Sequence, residues 1–354
     1  MKIFEQNIRK VIPYVPGEQP KGTIVKLNTN ENPYPPAEGV QRAIDGLRKE
    51  DLRRYPDPTS DCLVQALAEY YQLLPEQVFV GVGSDDVLAM CFLTFFNSKE
   101  PILFPDITYS FYKVWAQLYQ IPYECPKLNS QFCIKKEDYY RPNGGVIFPN
   151  PNAPTSVYEE LEFIEDIIRH NMDVIVIIDE AYIDFAGKSA LELISKYENL
   201  LVVQTFSKAR SLAGMRIGYA MGHPKLIQYL NDVKYSFNSY TMSQAALTYG
   251  VEAVKDREYF EAMIKKIVHT RDWTAKNLQA LGFDFPDPKG NFIFATHPQF
   301  EGKELFLALK SAGIYVRYWD AERINQYLRI TIGTQSEMEL LITFLKNYKL
   351  TKGE

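Results

Sequence analysis

Between residue 60 and about residue 250 this chain alternates short apolar runs with segments whose apolar residues recur every three or four positions. The runs at 77–81, 101–104, 145–148, 173–179, 200–205 and 216–221 have strand length, and 173–179 reads as buried on both faces. Segments 61–74, 85–96, 110–119, 158–170 and 191–197 read as helices between them. Alternation of this kind predicts an α/β fold with a mostly parallel sheet covered by helices on both faces. A length of 354 residues leaves room for about two domains. The last hundred residues change character. One long amphipathic helix at 255–281 precedes strands at 291–295, 315–317 and 328–332 and helices at 302–311 and 336–347. The expected organisation is a Pro- and Asn-rich arm (1–36), a large α/β domain (37–255, opening on a short amphipathic helix at 37–49 that is free to pack on either domain) and a smaller α+β domain (256–354).

The formal net charge of −5 argues against a broad basic surface, so no nucleic-acid or anionic-membrane partner is expected. No apolar stretch approaches the ~20 residues of a membrane helix, and MKIFEQNIRK has no apolar signal core. Cys62, Cys91, Cys125 and Cys133 form no C-x-x-C, and His170, His223, His269 and His297 are scattered, so no metal is expected. Cys62 and Cys91 read as small core residues. These features together place the expected site of action in the cytoplasm.

In open parallel sheets, ligands bind beyond the carboxyl ends of strands. After the run at 77–81 comes Gly81-Val-Gly-Ser84-Asp85-Asp86 at a helix start, where free N–H groups can hold a phosphate. After the run at 173–179 come Asp179 and Tyr182, and after the next strand come Ser207 and Lys208. A right-handed crossover brings both strand ends to one sheet edge. Arg216 follows eight residues after Lys208. For Asp179 and Lys208 alone, an internal salt bridge with an N-cap serine remains an open reading. The whole set matches the needs of pyridoxal phosphate: a lysine for its aldehyde, an acid for its ring nitrogen, a hydroxyl for its ring oxygen, and Ser, helix start and Arg for its phosphate.

Over nearly its whole length the chain resembles the fold-type I pyridoxal-phosphate aminotransferases, and within them the histidinol-phosphate aminotransferase subfamily. The motifs that carry this are LNTNENPYPP, RRYPDP, VGSDD, the TY of DITYSFY, PNAPT, DEAYIDF, TFSKARSLAGMRIGY, GNFIFA and LRITIGT. The resemblance implies a mixed, mostly parallel central sheet in a large domain with a smaller α+β domain. It implies Lys208 as Schiff-base lysine and proton shuttle, Asp179 at the pyridine nitrogen and Tyr182 at the ring oxygen. Tyr109 would stack on the ring. Ser84 and Asp85 would offer backbone N–H groups to the phosphate, joined by Ser207 and Arg216. Tyr55 is similar to a tyrosine that reaches the phosphate of the neighbouring subunit, which implies a homodimer with shared sites. Arg329 matches the arginine that binds a substrate carboxylate, and Arg317, Tyr14 and Asn291 are implied as further substrate residues. Where the family reads P-N-N-P-T-G, this chain reads Pro151-Asn152-Ala153-Pro154-Thr155-Ser156. A gapless match sets Ala153 at the second Asn, leaving Asn152 as the nearby amide for the ring.

The implied reaction is a two-half amino transfer between histidinol phosphate and 2-oxoglutarate, or glutamate and imidazole-acetol phosphate in the other direction, as part of histidine biosynthesis. An aromatic amino-acid aminotransferase and a phospho-amino-acid decarboxylase share similar motifs. A cofactor-sensing regulator would need a DNA-binding module, and no extra N-terminal helical domain is visible. A purely structural α/β protein would be colourless.

Overall fold

The computed structural model describes residues 3–22 and 24–352. In chain order the first half gives β1 (Val25–Lys26), α1 (Glu38–Asp45), α2 (Asp61–Tyr71), β2 (Val78–Gly81), α3 (Ser84–Phe95), β3 (Ile102–Leu103), α4 (Phe111–Tyr119), β4 (Tyr123–Glu124), β5 (Val146–Pro149), α5 (Leu161–Arg169), β6 (Val176–Asp179) and β7 (Leu200–Thr205). The second half gives β8 (Gly218–Gly222), α6 (Pro224–Phe237), α7 (Gln244–Lys255), α8 (Arg257–Leu281), β9 (Phe292–Ala295), α9 (Gly302–Ser311), β10 (Ile314–Tyr315), β11 (Arg317–Tyr318), β12 (Leu328–Thr331) and α10 (Gln335–Lys352).

Seven strands form one sheet in the order β2-β8-β7-β6-β5-β3-β4. All neighbours are parallel except β8, which runs antiparallel to both β2 and β7. Successive side chains of a strand face opposite sides, and here both sides are dry. Val146, Phe148, Val176, Ile178, Leu200 and Val202 enter one core with α2, α5 and α7. Ile147, Ile177, Leu201 and Val203 enter the other with α3, α4 and α6. Each fully buried aliphatic side chain contributes about 1.5–3 kcal/mol, which explains why these strands read as unbroken apolar runs.

A second sheet pairs β11, β12 and β9 antiparallel. Phe292, Phe294, Leu328 and Ile330 alternate along β9 and β12, and α8, α9 and α10 cover the sheet with Ile267, Leu278, Leu305, Leu309, Leu341 and Leu345. From the N-terminal arm, β1 pairs in parallel with β10. Val40 of α1 and Leu63 and Leu67 of α2 join the core of the large sheet. Tyr182 and Ala153, at the edge of the large sheet, pack into the core around the three-stranded sheet.

Several expectations are corrected. The helix at 191–197 is a short 3-10 turn, Ala190–Leu193. The strand at 216–221 starts at Gly218, because Arg216 has a φ of 52° and cannot join a ladder. The strand at 315–317 is broken between β10 and β11. Helices α6 and α7 were not foreseen; Pro224 at the first turn and the Ser243 hydroxyl accepting from Ala246 N–H at 3.1 Å start them. Cys91 is buried, but Cys62 is exposed, since it lies on the solvent side of the first turn of α2. Among the described residues no helix is long and apolar enough to cross a membrane, and no cluster of His, Cys, Asp and Glu could hold a metal.

Candidate active site

The strand register collects the singled-out residues at one sheet edge. Asp179 pairs with Pro149 on one side and Val203 on the other, Thr205 pairs with Gly218, and Gly218 pairs with Gly81. The turns that follow carry Ser84, Tyr182, Ser207 and Lys208.

Asp179 is buried and accepts hydrogen bonds from the Tyr112 hydroxyl at 2.8 Å and from Ala181 N–H at 3.2 Å. Burial pushes its carboxyl up to about 6, and the two donors pull the other way. Lys208 Nζ donates to the Thr29 carbonyl at 3.2 Å and lies 5.6 Å from the centroid of the Tyr182 ring. It does not pair with Asp179, so the simple reading of an internal salt bridge does not describe this site. The Tyr182 hydroxyl accepts from Asn30 Nδ2 at 2.9 Å. Tyr109 donates to Asp85 Oδ1 at 2.5 Å, and burial pushes its hydroxyl well above the usual range.

The turn from β2 into α3 leaves a helix start open, the form that suits an anion. Gly83 has a φ of 84°, and no side chain caps the helix that starts at Ser84. Arg216 reaches over it, with Nη2 3.1 Å from Asp85 Oδ2 and Nη1 3.4 Å from Ser207 Oγ. The approach is close enough to exclude side chains. A Cβ on Gly218 would lie 2.3 Å from Gly83 C and Ser84 N, and one on Gly83 would lie 2.6 Å from Arg216 Nη2.

Beyond Tyr109 lies a cavity of about 370 Å³, lined among others by Tyr14, Ala153, Trp319, Arg323 and Arg329. Arg329 donates to the Asn28 carbonyl at 2.8 Å, while its Nε is buried without a partner. Burial draws this guanidinium below its usual range, and the neighbouring Arg317 charge adds to the effect. Arg317 is turned to the arm, donating to Pro16 O at 3.2 Å and Val15 O at 3.0 Å. Trp319 lies against both guanidiniums, at 5.3 and 5.2 Å from its ring centroid. Tyr14 stacks on Phe111 at 4.2 Å. Asn291 is fully buried, donates to Asn30 O at 3.0 Å, and leaves Oδ1 without a partner.

Two of the singled-out residues stand apart. Asn152 is buried, but both its amide donors are engaged, with Ile107 O at 3.0 Å and Thr155 Oγ1 at 2.9 Å. Tyr55 is 80% exposed, stacks on Tyr240 at 4.6 Å and lines a different hollow, beside Arg48, Arg54 and Gln244. Ser156, where the family motif has Gly, keeps the left-handed conformation with a φ of 65°. Its hydroxyl accepts from Gly290 N–H at 2.7 Å and Lys289 N–H at 3.1 Å, tying this turn to the entrance of β9.

Sequence reasoning missed Tyr112, Asn30 and Trp319. Tyr112 carried a usable signal: it lies in the first turn of the helix that follows Tyr109, and the two rings meet edge to face at 5.7 Å. Asn30 lay inside the LNTNENPYPP motif, but nothing local marks it as a partner of Tyr182.

A family model described as aminotransferase class I and II matches residues 22–345. The histidinol-phosphate aminotransferase of Clostridium botulinum (strain Langeland) is 50% identical over 348 residues, covering 98% of each chain. That of Pseudomonas putida is 50% identical over 345 residues, covering 97% of this chain and 99% of its own. Among solved structures, the histidinol-phosphate aminotransferase of Clostridium acetobutylicum superposes with a TM-score of 0.85 at 22% identity, covering 93% of this chain and 100% of the other. That of Sinorhizobium meliloti, in complex with pyridoxal-5'-phosphate, gives 0.84 at 22% identity, covering 92% and 91%.

Proposed function

Because the chain belongs to the class I and II aminotransferases, we propose that it transfers the amino group between histidinol phosphate and 2-oxoglutarate, with pyridoxal phosphate held at Lys208. The observation that carries the reading is the convergence of Lys208, Asp179 and Tyr182 on one sheet edge, between the open helix start at Ser84 and a cavity that Arg329 lines. The half-identity to relatives named histidinol-phosphate aminotransferase supports the substrate.

The residues present fit the cofactor. At Gly218 a Cβ would run into the Gly83–Ser84 backbone, so the strand lies directly against the helix start, which suits a phosphate held by backbone N–H groups. Asp179 is a buried acid with donors but no cation, which suits a protonated ring nitrogen. The unpartnered Arg329 Nε and Asn291 Oδ1 suit a polar substrate. When bound, pyridoxal phosphate supplies an aldehyde carbon that bonds to amines and a ring that takes up the electrons released at the substrate α-carbon.

The rest is done by this chain. Ser84, Asp85, Ser207 and Arg216 hold the phosphate end, and Tyr109 covers one ring face. Asp179 holds a proton on the ring nitrogen, with Tyr112 keeping its carboxylate in place. With the cofactor bound, Lys208 Nζ, held near Thr29 O, would take the proton from the substrate α-carbon and deliver it to the cofactor's former aldehyde carbon, on the far side of the nitrogen being transferred. Arg329 receives the carboxylate of glutamate, and Tyr14, Arg317 and Asn291 frame the remaining substrate. Asn152 braces the 107–108 turn that carries Tyr109. Tyr55 serves the partner subunit of a homodimer.

Initial rates with 2-oxoglutarate and histidinol phosphate, phenylalanine or tyrosine test the substrate, alongside carbon dioxide release from threonine phosphate. Histidinol phosphate is expected to give the highest kcat/KM. A lower value than for either aromatic amino acid, or carbon dioxide release, contradicts the assignment.

A further inference from the structure

Asn30 belongs to the N-terminal segment, yet it is 1% exposed and has a φ of 55°, an uncommon conformation for a residue other than glycine. Its surroundings fix which way the amide points. Asn30 N–H donates to Thr331 Oγ1 at 3.0 Å, and the Thr331 hydroxyl donates in turn to Asn30 Oδ1 at 3.0 Å. The oxygen end is therefore committed to Thr331, and the nitrogen end faces the Tyr182 hydroxyl at 2.9 Å. An amide N–H only donates, so the phenol oxygen accepts there and its own proton points elsewhere.

The neighbours of Asn30 repeat the pattern. The Asn28 carbonyl takes Arg329 and the Thr29 carbonyl takes Lys208. Three successive residues thus engage the substrate arginine, the reactive lysine and the ring-oxygen tyrosine. Among the described residues Asn30 is the amide bonded to the Tyr182 hydroxyl, and Asn291 donates to Asn30 O instead. Asn152 is engaged with Ile107 and Thr155, and Ala153, without a polar side chain, lines the cavity.

We infer that Asn30 is a positioning residue for Tyr182: its amide seats the phenol oxygen and leaves the hydroxyl proton for the ring oxygen of the cofactor. This rests on the reading that Lys208 binds pyridoxal phosphate. A hydroxyl donating to that ring oxygen lowers its pull on the proton of the lysine–cofactor nitrogen, so that proton leaves at lower pH. The other charged and titratable groups near Tyr182 are Lys208, Arg329, Tyr112 and, bonded to Tyr112, Asp179. All four are unchanged in the comparison below.

The test is an absorbance titration of the purified holoenzyme, reading the pH midpoint at which the visible band of the lysine-bound cofactor gives way to the near-ultraviolet band. Asn30→Gly removes the amide and keeps the left-handed backbone, and Asn30→Asp replaces the donor with an acceptor. Removing a hydrogen bond of this kind is expected to raise the midpoint by about 0.5–1 pH unit in Asn30→Gly. Asn30→Asp is expected to raise it at least as far. Tyr182→Phe also raises it, and adding Asn30→Gly to Tyr182→Phe moves it no further. Thr331→Val, which frees the amide to turn, gives a smaller rise and serves if the Asn30 variants do not fold. A normal band with an unmoved midpoint in Asn30→Gly, or in Thr331→Val where that variant stands in, overturns the inference, as does a full additive shift in the double variant. Absence of any lysine-bound band in the unsubstituted protein overturns the cofactor reading on which it rests.

Discussion

Asp179 shows what the site demands of a single residue. A carboxyl at the end of a buried strand is held up to about 6 by burial, and it has two neighbours in the same condition. Glu180 is pushed up to about 7 by burial, against bonds from Ser189, Ala190 and Gln204, and Asp184 up to about 6, against the Arg210 charge. All three lie above their ordinary values, so near neutral pH the folded chain binds more protons than the unfolded one. Their burial therefore costs stability that returns as pH falls through 7 and 6. His297 acts in the opposite sense, because burial holds its imidazole below the usual range. Three acids against one histidine decide the sign. The cofactor-free protein is expected to melt at a higher temperature at pH 5.5 than at pH 8, and Asp179→Asn to flatten that slope. Scanning calorimetry at several pH values checks this; a melting temperature that rises towards pH 8 contradicts it.

At the scale of elements, legibility followed the physics of burial. Strands β5, β6 and β7 were plain because both faces are dry, and α3 and α8 because their apolar spacing is helical. Asp179 and Lys208 could be placed near each other from sequence because the parallel strands β6 and β7 end at one edge, and Arg216 lies at that edge because it precedes the antiparallel β8. Less legible were elements whose form depends on distant contacts. The segment Ala190–Leu193 has helical spacing but lasts one turn, begun by Glu180, which lies outside it and accepts from Ser189 Oγ and Ala190 N–H. Strand β8 starts late because Arg216 must turn back over Ser207. The Asn30–Tyr182 bond joins residues 152 apart in sequence, and no local pattern encodes it. Helix α7, whose residues Ala246 and Leu247 face the core, lay in a stretch where mixed polarity hides the period.

For the whole molecule, the arm ties the site together. It contributes β1 to β10, carbonyls to Arg329 and Lys208, and Tyr14 to the cavity wall. The stacked pair Tyr55 and Tyr240 lies on the outer surface, 80% and 46% exposed. If each serves a partner subunit, two lesions complement. Mixing Lys208→Ala with Tyr55→Ala chains puts both lesions in one site of each hybrid and leaves the other intact. Random mixing then restores about a quarter of full activity. No gain over the Tyr55→Ala protein contradicts a shared site. The central claim, that one lysine bonds the cofactor, is tested most directly by borohydride reduction of the purified holoenzyme followed by peptide mapping. The account predicts a pyridoxyl group on Lys208 alone; an adduct on another lysine, or none at all, contradicts it.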